Sequence, residues 1–90
     1  MIEVRHLSED EYEVKVSQGK ATVHRVRLRE ADRGRLGGKD VSAEQLIEES
    51  FHFLLEREPN TSILNSFELA VIGSYFPEYE GEIRKRLAEH

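Results

Sequence analysis

The segment that most constrains this chain begins at Ser42. Ser42-Ala43-Glu44-Gln45 has the form of a capping box, in which the Ser42 hydroxyl accepts from the Gln45 amide and Gln45 reaches back. Val41 and Leu46 stand at the two positions of a hydrophobic staple around it. The helix it opens is expected over 42–58, because Pro59 disfavours helical geometry in the residue before it. On a helical wheel Ala43, Ile47, Phe51, Leu54 and Leu55 share one face, and Leu46 and Phe53 widen it to about half the circumference. Glu44, Gln45, Glu48, Glu49, His52 and Glu56 hold the remainder. A helix with so wide an apolar arc needs two covers. One is a sheet. The other, over Leu46 and Phe53, is either the C-terminal part of the chain or a second subunit.

The sheet is written in the first third, 1–29. Tyr12, Val14 and Val16 alternate with charged and polar residues at the period of a half-buried strand. Ser17-Gln18-Gly19-Lys20 supplies the turn, and Val26 and Leu28 share a face with Thr22 and His24. The expected register is a three-residue loop, Ser17-Gln18-Gly19, that sets Val16 opposite Lys20 and Tyr12 opposite His24. A two-residue Gln18-Gly19 turn, with Tyr12 opposite Arg25, is the alternative. Ile2 and Val4 suggest a third strand, which a lone hairpin needs for stability in water.

Residues 30–41 read as a Gly-rich connector between sheet and helix, with room for one helical turn before Gly37. The glycine pair there lacks the spacing of a phosphate-binding loop. After the connector 59–64, Asn65-Ser66-Phe67-Glu68 repeats the capping pattern, so 65–89 reads as helical and broken near Pro77, with 67–75 as a strand the alternative. Phe76, Tyr79, Ile83 and Leu87 form the stripe of the closing helix, acidic at its start and basic at its end. The expected fold is one α+β domain over 1–90: an N-terminal antiparallel β-hairpin or three-stranded sheet, an amphipathic helix, and two C-terminal helical segments.

Charge and motifs narrow the function. The net charge is −5, but residues 20–39 sum to +5 between acidic flanks of −3 and −7. A basic middle between acidic ends reads first as charge pairing within the chain or between subunits; the alternative makes Arg25, Arg27 and Arg29 on the second hairpin strand candidate anion contacts, with nucleic acid as the partner. Cysteine is absent, which removes disulfides, thiolate metal sites and a cysteine nucleophile. His6, His24, His52 and His90 do not stand at metal-ligand spacing, and no serine lies in a nucleophile-elbow motif. No apolar run reaches the ~20 residues of a membrane span, and the N-terminus lacks a signal-like apolar core. These features lead to the expectation of a cytoplasmic, non-catalytic protein without metal or cofactor. Leu46, Phe53, Tyr75, Phe76 and Tyr79 are candidate interface residues, because their apolar surface suggests a protein partner or a homodimer.

The strings FHFLLEREPNTSIL and SFELAVIGSYFPEYE, within Leu46 to Tyr79, resemble those of a group of short bacterial proteins that have no assigned activity. The resemblance implies a soluble bacterial domain and carries over no functional residue. At the level of fold, the hairpin and following helix are similar to small antitoxin-like β-sheet modules, which implies a nucleic-acid-binding regulator as the alternative function.

Overall fold

The computed structural model describes residues 1–38 and 40–89, so Lys39 in the expected connector and His90 lie outside the described residues. Three strands come first: β1 (Ile2–Ser8), β2 (Glu11–Gln18) and β3 (Lys20–Arg27). Two helices follow, α1 (Glu30–Gly37) and α2 (Ala43–Leu55), then a short strand β4 (Ser66–Glu68). The chain closes with a helical turn α3 (Ile72–Tyr75) and the helix α4 (Tyr79–Ala88). The fold is α+β, with the helices covering one face of a sheet ordered β1-β2-β3-β4.

Strands β1 to β3 form an antiparallel meander. Its observed register differs from both expected ones: Val16 lies opposite Thr22, Val14 opposite His24 and Tyr12 opposite Val26. The turn is Gln18-Gly19-Lys20, with Gly19 at φ 71°. A shift of two residues leaves every side chain on its own face. The same residues are therefore buried, and the turn is centred on the one residue that enters the left-handed region without steric cost. The third strand, β1, pairs Ile2 with Val16 and Val4 with Val14.

The connector is more ordered than its glycines suggest. Residues Glu30–Gly37 form two turns of helix that bury Leu36, with Glu30 and Asp32 in the first turn and Arg35 in the last, as the helix dipole favours. Helix α2 opens as expected, with Ser42 extended at φ −71°, ψ 156° and its Oγ accepting from the Gln45 amide at 3.1 Å. It ends at Leu55 rather than Glu58, because the chain must leave helical geometry before Pro59.

The reading of 65–89 as wholly helical is corrected at its start. Asn65 caps no helix there: its carbonyl accepts from the Arg25 amide at 2.7 Å, and Ser66–Glu68 pairs in parallel with Arg25–Arg27. The backbone groups along that edge of β3 need partners, and a short strand supplies them where a helix would not. Parallel pairing needs a long crossover, and α1 and α2 lie within it. Helical geometry begins at Leu69 and stops at Tyr75. Phe76 is extended (φ −130°, ψ 93°) because proline follows it.

The two covers of α2 are both within the chain. Phe51 faces the sheet, with its ring 5.4 Å from the His24 ring and 6.0 Å from Phe67. Phe53 faces the C-terminal segment, at 5.3 Å from Tyr79 and 5.9 Å from Phe76. Between them, the Tyr79 hydroxyl meets Ser50 Oγ at 2.7 Å.

Candidate functional site

The placement of Phe53 and Tyr79 revises the candidate interface. Leu46, Phe53 and Tyr79 are each 0% exposed and belong to the core, not to a surface. The apolar arc of α2 is closed by α4, so these three leave no surplus surface for a second copy. Tyr75 is different, at 65% exposed, and Phe76 is partly buried beside it. The structure keeps these two together and places them on one groove.

That groove has a volume of about 310 Å³. Leu54 and Glu58, from the end of α2 and just beyond it, form one wall. Ser62, Ile63 and Leu64 form a second, and Phe67 of β4 lies at its base. Val71, Ile72, Tyr75 and Phe76 complete it. Leu64 is 48% exposed at this groove, and Tyr75 stands beside it on the same lining. Sequence reasoning missed Leu64, Phe67 and Val71 as surface features. The apolar sequence around Leu64 was the available signal, but it reads equally well as a helix staple.

The wall at Ser62–Leu64 is held by a buried polar network. His24, fully buried on β3, contacts the Leu64 carbonyl through Nδ1 at 2.7 Å and Thr22 Oγ1 through Nε2 at 2.9 Å. A carbonyl only accepts, so Nδ1 carries the proton and Nε2 accepts from the Thr22 hydroxyl. Asn60 Nδ2 donates to Thr22 Oγ1 at 3.0 Å and to the Lys20 carbonyl at 2.6 Å. The neutral ring satisfies every one of these bonds. Contact between a hydroxyl and an imidazole here is structural, with both groups engaged inside the core, and it forms no nucleophile–base pair facing a cleft.

The candidate anion contacts lie on the opposite face of the sheet. Arg25 and Arg27 reach the two oxygens of Glu11 at 3.3 Å each, and Arg27 also lies 3.8 Å from Asp10. Arg29 pairs with Glu68 at 3.1 Å. All three are exposed; the cross-strand register sets Glu11 beside Arg25 and Arg27, whereas Arg29 lies past the end of β3 at the N-cap of α1 and not on the strand where the sequence placed it. Arg25, Arg27 and Arg29 are thus matched by carboxylates from the acidic flanks. Among the described residues, no group of three His, Asp or Glu side chains is placed to hold a metal ion, and no helix is long and apolar enough to cross a membrane.

In comparisons with known proteins, no family profile, no curated protein and no solved structure matches this chain.

Proposed function

We propose that this chain is a non-catalytic binding module whose docking site is the groove bounded by Leu54, Leu64, Phe67, Val71 and Tyr75. The observation that carries the reading is that Leu64 and Tyr75, two of the four exposed large apolar side chains among the described residues, line the same groove. Water gains nothing by contact with those side chains, and a partner that covers them gains their burial, at ~25 cal/mol for each Å² removed from water. The groove is at the small end of the range for ligand sites, ~300–1,000 Å³. It suits one or two inserted side chains of another protein better than a large cofactor.

Two earlier expectations keep less support. Homodimerisation rested on Leu46, Phe53, Tyr75, Phe76 and Tyr79, of which Leu46, Phe53 and Tyr79 are buried within one chain. Nucleic-acid binding rested on Arg25, Arg27 and Arg29, whose charges are matched by Glu11, Asp10 and Glu68.

The test is selection of a random heptapeptide library against the full chain, with bound peptides mapped by amide chemical shifts. Binders are expected to move the amides of 54–58, 62–67 and 71–76 and to be lost in Leu64→Asp and Tyr75→Asp. Both positions are exposed, so both variants should fold. Binders that map elsewhere, or none at all, overturn the reading.

A further inference from the structure

Glu58 is the one charged residue lining the apolar groove. It is partly buried, and among the described residues its carboxylate makes no ion pair or hydrogen bond. Neighbouring carboxylates are matched: Glu56 with Arg86 at 2.6 Å, and Glu78 with Arg57 at 3.2 Å. Arg57, adjacent in sequence, is not available to Glu58. Its guanidinium lies 3.6 Å over the Phe53 ring, its Nε holds Glu78, and its Nη1 donates to the Phe53 carbonyl at 3.1 Å.

A carboxylate on an apolar lining with no counter-charge beside it is placed to receive a cation from a ligand, with which it makes a charge-assisted hydrogen bond. We infer that the groove takes a short segment of a partner protein in which an apolar side chain stands next to a lysine or arginine, with Glu58 as the counter-ion. The apolar residue fills the space between Leu64, Phe67 and Tyr75 while the basic residue reaches Glu58. The net charge of −5 favours the approach of such a segment over an acidic one. The inference rests on the proposed docking role of the groove and adds the chemistry of its occupant.

Two baits in the heptapeptide selection separate the claims: the natural chain and Glu58→Gln. With the natural chain, enriched peptides are expected to carry Lys or Arg within two positions of a large apolar residue. Replacing that basic residue by Gln in a selected peptide should weaken binding about two- to fivefold. With Glu58→Gln as bait, the apolar preference should remain and the basic preference should vanish. Groove-mapped peptides that are apolar without basic bias, identical for both baits, overturn this inference and leave the docking role standing. Peptides that fail to map to the groove overturn both. A dimer that dissociates on dilution and is abolished by Tyr75→Asp makes a second copy the occupant and also overturns the inference.

Discussion

The buried contact between Ser50 and Tyr79 makes an unusually sharp prediction, because its proton can be assigned. Ser50 Oγ donates to the Leu46 carbonyl at 2.7 Å, which uses its only proton. The Tyr79 hydroxyl, 2.7 Å away, must then donate to Ser50 Oγ. Removing the serine strands a donor that solvent does not reach, since both residues are 0% exposed. An unsatisfied buried donor costs roughly 1–3 kcal/mol, and alanine returns about 0.5 kcal/mol of helix propensity. Ser50→Ala should therefore destabilise by about 1.5 kcal/mol. Tyr79→Phe strands nothing, because Ser50 keeps its bond to Leu46, so the loss is about 1 kcal/mol. In the double variant both partners are gone together. Adding Tyr79→Phe to Ser50→Ala should then raise stability by about 1 kcal/mol, although it lowers stability in the natural chain. The chain has no tryptophan, so circular dichroism in a urea series is the suitable measurement. A double variant no more stable than Ser50→Ala would refute the proton assignment and the asymmetry that follows from it.

Other outcomes follow from the same structure. Burial raises the Tyr79 pKa well above the ordinary phenol value. The stability this contributes is complete below about pH 10, the unfolded value, and declines as pH rises above it; urea midpoints from pH 8 to 11 should fall less steeply in Tyr79→Phe. Ser42→Ala should cost about 1 kcal/mol through loss of the helix cap, and Phe51→Ala about 3–5 kcal/mol through a core cavity, both read as urea midpoints. Asn60→Ala removes two bonds that tie the groove wall to β3, so hydrogen exchange at 62–67 should accelerate more than at α2. Mixed DNA and RNA at low salt should produce no mobility shift, since the strand arginines already face carboxylates; a shift that weakens steeply with added salt would restore the nucleic-acid reading.

What could be read from the sequence was local. The Ser42 cap, the period-two alternation of Tyr12, Val14 and Val16, and the break before Pro77 each depend on neighbours within a few residues. The faces of β2 and β3 also followed, because alternation survives an even error in register. Strand β4 did not follow. Its partner is about 40 residues away, and three residues are too few to set a strand pattern against a capping pattern. The burial of Leu46, Phe53 and Tyr79 was equally out of reach. The wheel measures how much apolar arc needs covering, and only tertiary contacts decide whether α4 or a second chain covers it.

The groove belongs to this second, non-local class, and its construction explains how so small a domain keeps apolar side chains at its surface. Leu64 stands out in solvent because its backbone is not free to turn inward: the carbonyl is held by His24, and the preceding turn is held by Asn60 to Lys20 and Thr22. A buried histidine whose two ring nitrogens are both engaged, and an asparagine that bridges two strand groups, fix one backbone path where an apolar core would tolerate several. The polar network therefore does for the 60–64 segment what hydrophobic packing does for α2. It leaves Leu64 exposed while Ile63 beside it enters the core, and so sets one wall of the groove on this edge of the molecule. On the outer sheet face, by contrast, cross-strand ion pairs satisfy the exposed side chains where they stand.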